Sequence, residues 1–214
     1  MSNPPTPAHP ALEDVLLRAY PGNRGAHPRQ ILYSALACFD ESGLEPTTID
    51  MIRERSGSSV GSIYHHFKSK EGIAAALFFA ALDDQNALIA ARLQAAHDIR
   101  ASIEAMITSY MDWVTERPEL ARFLFQARSY VAKSPFAAEL AERNKQRYLP
   151  IDKMLTQAAA AGALLALPRE TYPSLLIGQA ENYCRAWLSG RVKTAPKKLA
   201  PIFAAAAWRS IAAG

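Results

Sequence analysis

From Gly57 to Gly61 the chain reads Gly-Ser-Ser-Val-Gly, which satisfies the G-x-S-x-G pattern of a hydrolase nucleophile elbow with Ser59 as the nucleophile. That chemistry needs a strand ahead of the turn and a β-sheet to raise the serine, and residues 47–55 read as helix. His65 and His66 are the next groups that could act, as metal ligands. Being adjacent, they leave a helix in different directions and cannot both face one ion, and no Cys or His stands at ligand spacing beside them. Cys38 and Cys184 lie on separate apolar helical patterns, which fits reduced core thiols better than a disulfide. These patterns imply no catalytic residue, no metal site and no cofactor, and the chain reads as a non-enzyme.

The same stretch presents a surface. Thr47 and Thr48 precede Ile49 and Ile52, three apart as on one helix face, and the threonine hydroxyls can accept the free N–H groups of a first turn. Gly57 ends that helix, since a glycine enters the left-handed region without steric cost and lets the chain reverse. Ser58 or Ser59 caps the next helix, whose Ile63 and Phe67 turn inward toward Ile49 and Ile52. Its other face is Val60, Gly61, Ser62, Tyr64 and His65, small at the start and polar at the edge. Such a face suits a helix N-terminus entering a DNA major groove. Lys70 follows a Ser69 cap, where cation and helix dipole could hold a phosphate together.

The segment TTIDMIRERSGSSVGSIYHHFKSKEG, with RQILYSALACFDESGLEP before it, resembles the DNA-binding domain of the tetracycline-repressor (TetR) family of bacterial transcriptional regulators. Ile31, Ala35 and Phe39 recur at four-residue spacing ahead of Gly43, and the likeness runs without a gap to Ile73. The resemblance implies that Thr47, Thr48, Tyr64, His65 and Lys70 hold backbone phosphates. Val60, Gly61 and Ser62 would approach bases, with Ser59 opening the reading helix and Tyr64 at its margin. Three residues depart from the family pattern: Arg53 where Ala is usual, Ser58 where an aliphatic residue is usual, and Val60 where Lys is frequent. The first two weaken the apolar seam, so Arg53 must snorkel or pair with Asp50 or Glu54. Val60 leaves only apolar contact, for example with a thymine methyl.

These residues must be carried by helices. At 214 residues and 50% hydrophobic content the chain has ample material for a core, and its dominant 3.6 periodicity makes the class all-α. We expect an N-terminal three-helix helix-turn-helix domain at 29–75 and a C-terminal helical effector-binding and dimerisation domain at 76–214. The formal net charge of +4 suits a nucleic-acid partner only at first sight. Residues 29–72 hold five cations (Arg29, Arg53, Arg55, Lys68, Lys70) against six acids (Asp40, Glu41, Glu45, Asp50, Glu54, Glu71). DNA binding must therefore rest on where the cations point. Residues 1–28 are rich in proline and read as a mobile arm with one or two helical turns around Leu12 to Tyr20. From that arm Arg18, Arg24, His27 and Arg29 could reach a minor groove.

A long helix should run from Ser69 to about Arg92, followed by helices near 98–116, 118–132, 136–161, 170–189 and 198–212, with a kink at Pro150. The start MSNPPTPAHP has no signal-peptide pattern, and Ile73 to Leu82 is too short to span a bilayer, so a cytoplasmic protein without a membrane partner is expected. Met106, Tyr110, Trp113, Phe123, Tyr130, Met154, Tyr183 and Trp187 supply core or a cavity wall. The resemblance places a pocket for a small apolar effector between body helices. It also places a homodimer interface on helices 170–189 and 198–212, where small residues (Gly178, Ala180, Ala204 to Ala207) mix with Leu176 and Trp208. The implied function is a ligand-responsive transcriptional regulator, a repressor of a palindromic double-stranded operator. The alternative is a helical small-molecule-binding or scaffold protein whose head no longer binds specific DNA.

Overall fold

The computed structural model describes residues 10–213. Its helices are α1 (Pro10–Ala19), α2 (Ala26–Ser42), α3 (Ile49–Ser56), α4 (Val60–Phe67), α5 (Lys70–Gln94) and α6 (Ile99–Glu116). They continue with α7 (Pro118–Ala132), α8 (Ala137–Ala160), α9 (Tyr172–Leu176), α10 (Gly178–Leu188) and α11 (Pro196–Ile211). Among the described residues no strand forms beyond one isolated antiparallel bridge between Leu164 and Ala212, so the fold class is all-α as expected. Pro150 lies within α8, which continues past it.

The chain divides into two compact units that differ from the expected boundaries. The first takes residues up to Asp84 together with Glu119–Leu140, and the second takes Gln85–Pro118 and Ala141 onward. The residues of α7 from Glu119 onward therefore belong with α1 to α4. Phe123 explains this, since its ring stacks on Phe39 of α2 with centroids 5.6 Å apart. Arg122 reinforces the join by donating from Nε to the Asp40 carboxylate at 3.1 Å.

Leu12, Val15 and Leu16 are buried, so residues 10–28 are not the expected mobile arm. Their i, i+3, i+4 spacing makes an apolar stripe on α1 that outweighs the flanking prolines. Arg18 pairs with the buried Asp84, and Arg29 donates to the carbonyls of Tyr20 and Gly22, so neither is free to lie in a groove. Residues 1–9 of the expected arm lie outside the described residues.

α5 is long and apolar enough, by length and composition alone, to cross a membrane, as a buried core helix also can be. Burial of Ile73, Ala74, Leu77, Phe78 and Ala81 gives it a core role in the first unit. In the second unit α6 lies along α11, with Ile103, Ile107 and Met111 buried on one helix and Ala200, Ala204 and Ala207 on the other. The Lys197 backbone N–H donates to Thr115 Oγ1 at 3.1 Å and fixes where α11 begins. Ala204 and Ala207 are buried within the chain itself, so their side chains are not on the surface.

Candidate nucleic-acid interface

Both turns of the head are built by local capping. Thr48 is the N-cap of α3 and its Oγ1 accepts from Met51 N at 3.2 Å. Gly57 closes the helix in the left-handed region at φ 66°, and Ser59 then caps α4, its Oγ accepting from Ser62 N at 3.1 Å. Ser58, the other candidate cap, is buried, and its Oγ finds no hydrogen-bond partner among the described residues. Ile52, Ile63 and Phe67 form the seam between the helices, while Ile49 is only half-buried. Arg53 resolves its misplacement as the sequence requires, donating to Asp50 at 3.3 Å and Glu54 at 3.1 Å.

The reading face stands open. Val60 is 41% exposed and Tyr64 46% exposed, large values for such side chains, and Gly61 and His65 lie beside them on the surface. A Cβ on Gly61 would meet nothing nearer than Ser59 Oγ at 4.0 Å, so the fold does not require glycine there.

One expected phosphate contact, Thr47, needs correction, and Lys70 has a second role in the fold. Thr47 is 1% exposed, and its hydroxyl is directed at the carbonyls of Gly43 (2.7 Å) and Cys38 (3.2 Å). It closes the turn after α2 and cannot reach DNA through its side chain. Lys70 Nζ donates to Glu45 O at 2.8 Å and Leu44 O at 3.1 Å, which engages two of the three ammonium protons in holding the α2–α3 loop. Lys68 caps the end of α4 at φ 66°, in the left-handed region that non-glycine residues seldom enter, and its Nζ donates to the His65 carbonyl.

A contact the sequence did not disclose joins the face to α2. His27 Nε2 lies 2.7 Å from Ser62 Oγ, and its ring centroid is 5.8 Å from that of His66, which stands 5.1 Å from His65. The pair His27–Ser62 is 35 residues apart, and neither helix periodicity nor capping signals it. His66 is held below the usual imidazole range by burial, then by the neighbouring His65, His27 and Lys68.

The residues expected around an effector divide between the units. Phe123 is core on Phe39, and Tyr130 donates its hydroxyl to Glu71 at 3.2 Å, so both fasten the first unit. Burial pushes the Tyr130 phenol up to about 12, with the Glu71 charge adding to it. In the second unit Tyr110 and Trp113 are buried, while Met106, Met154, Tyr183 and Trp187 are half-buried. Tyr183 lines an open concavity of about 450 Å³ together with Asn182, Arg191, Val192 and Phe203. Its hydroxyl is already donated to Thr194 O at 2.9 Å.

A capped pair of short helices around a left-handed glycine, with the second helix exposed at its N-terminus, defines a helix-turn-helix DNA-binding head. Residues 31–77 match the family of bacterial regulatory proteins described as the tetR family. Over 101 residues the chain is 34% identical to the HTH-type transcriptional repressor Rv1474c of Mycobacterium tuberculosis, covering 46% of this chain and 51% of that one. It is 25% identical to the HTH-type transcriptional regulator BetI of Burkholderia cenocepacia over 82% of this chain and 87% of that one. A TetR family transcription regulator from Marinobacter aquaeolei VT8 shares the fold, with a TM-score of 0.75 at 18% identity over 88% of this chain and 96% of that one. Residues 31–77 thus carry the DNA-binding domain of the tetR family, and the chain shares the fold of a solved regulator of that family. It spans about half the length of the relatives it matches at above 30% identity.

Proposed function

We propose that the protein is a transcriptional repressor that binds a palindromic operator as a homodimer and is released by a small apolar effector. The observation that carries this reading is the open N-terminal face of α4, where Val60, Gly61 and Tyr64 are exposed on a helix that Ser59 caps and Ile63 and Phe67 anchor. Large apolar groups left on a rigid, well-capped helix support a contact surface, and small ones at its start suit a groove. Thr48, Ser59, Ser62, Tyr64 and His65 are placed at its edge, where hydroxyl and imidazole groups meet phosphate or base acceptors.

The exposed Ile202 and the concavity beside Phe203 support a partner surface on α10 and α11, and two-fold symmetry then requires half-sites one or more helical turns apart. α5 carries the chain unbroken from the first unit into the second, which supports its role as the element that passes effector binding to the head. An effector seated near Tyr110 and Trp113 must favour the DNA-incompetent state, since equal affinity for both would shift nothing. Reciprocity requires operator DNA to weaken effector binding by the same factor.

A mobility-shift assay with the DNA upstream of the protein's own gene tests the reading. A discrete shifted complex that survives competitor DNA is expected, and sedimentation at micromolar concentration should give a dimer. Binding that competitor DNA erases, or a monomer, overturns it.

A further inference from the structure

We propose that His27, on the first turn of α2, belongs to the DNA interface and sets by its protonation which way Ser62 directs its hydroxyl proton, so that operator binding takes up protons. The proposal rests on the operator-binding reading above. His27 Nε2 and Ser62 Oγ lie 2.7 Å apart at the surface, and one of them must donate to the other. A neutral imidazole can accept at Nε2, and Ser62 then turns its only proton toward His27. An imidazolium has donors at both nitrogens and no acceptor, so Ser62 Oγ must accept and its own proton becomes free. Phosphate oxygens and the major-groove acceptors of G, A and T are all acceptors. Charged His27 therefore converts Ser62 into a donor aimed at DNA and adds a cation beside the backbone.

The surroundings set the direction of the pH effect. From α4 the His66 ring faces His27 at 5.8 Å between centroids, and His65 and Lys68 act in turn on His66. On its own side stand Arg24, in the turn before α2, and Arg29, whose guanidinium is turned to the carbonyls of Tyr20 and Gly22. In the free protein burial, and then the charges of His65, His27 and Lys68, oppose protonation of His66. Phosphates brought against the same face reverse that balance. A nearby phosphate favours the charged imidazole, so affinity should increase as pH falls.

The test uses the full chain and a duplex recovered by the wild type from a randomised pool at pH 7. Anisotropy titrations at fixed salt between pH 5.5 and 8.5 compare wild type, His27→Gln, Ser62→Ala and the double variant, with melting curves to confirm that each is folded. Glutamine keeps a hydrogen bond to Ser62 and cannot titrate in this range. The wild type should tighten as pH falls, and His27→Gln should lower the slope of log affinity against pH by up to one proton per bound chain. The two substitutions should be non-additive at pH 6, because His27 acts on DNA in part through the Ser62 hydroxyl. An unchanged slope in His27→Gln, or additive effects, overturns the inference while leaving operator binding standing. A pool from which the wild type recovers nothing overturns the operator reading and this inference with it.

Discussion

Gly72 lies so close to Phe67 that a Cβ on it would stand 1.8 Å from the Phe67 carbonyl oxygen. The first turn of α5 is thereby seated directly on the end of the reading helix, and Ser69 Oγ caps the same turn by accepting from Gly72 N at 3.2 Å. The obstructing atom is backbone, so no rotamer change relieves it. Gly72→Ala should cost about 2–3 kcal/mol, in the range of overpacked sites, and should displace α4. Denaturant unfolding checks the first effect, and loss of DNA binding by the remaining folded protein checks the second.

Ser58 offers the opposite case. Its hydroxyl is buried without a partner, although its backbone N–H is satisfied by Ser56 Oγ at 3.2 Å. Removing only the oxygen lifts the desolvation penalty and leaves the turn intact. Ser58→Ala should raise stability by about 1 kcal/mol, read as a higher denaturant midpoint at unchanged slope. A lower midpoint would show that the hydroxyl holds something there.

Glu71 predicts an acid limb. Its pKa is lowered, first by the Ser69 hydroxyl, then by its own backbone N–H, with Tyr130 and Lys70 adding smaller contributions. A carboxylate depressed on folding stabilises above its unfolded pKa, about 4.3, and that stability is lost as pH falls through the folded value. Glu71→Gln should therefore flatten the fall in stability between about pH 5 and pH 3 relative to wild type. Tyr130→Phe should flatten it less, since the tyrosine is a lesser cause. Equal acid limbs in all three proteins would refute the assignment.

What could be read from the sequence and what could not follow from range. Period and capping chemistry place α3, α4, α6 and α7 to within a residue or two, because those signals lie inside each helix. Adjacent like residues defeat the same reasoning: Thr47 against Thr48 and Ser58 against Ser59 are separated only by which one the turn buries. The expected helix over 170–189 is instead a 3-10 turn, α9 and α10, broken at Ile177. Contacts between distant segments are invisible to period and capping, which is why the sequence does not disclose the hydrogen bonds of Lys70 to the Leu44 and Glu45 carbonyls. Nor do they disclose the stacking of Phe123 on Phe39 or the hydrogen bond of Tyr130 to Glu71.

Gly61 gives the sharpest test of which face reads DNA. Space for a side chain exists on the protein side, since a Cβ meets only Ser59 Oγ at 4.0 Å, so a larger residue leaves α4 and its Ile63 and Phe67 anchors undisturbed. Leucine also favours helix over glycine by up to about 1 kcal/mol. Gly61→Leu should therefore melt at or above the wild-type temperature. On DNA its bulk would hold the helix off the base edges, and specific binding should fall to the level of random duplex. Tyr64→Phe should instead weaken binding to all sequences alike, because a phosphate contact carries no base information. If Gly61→Leu keeps its preference for the selected duplex, the N-terminus of α4 is not the element that enters the groove.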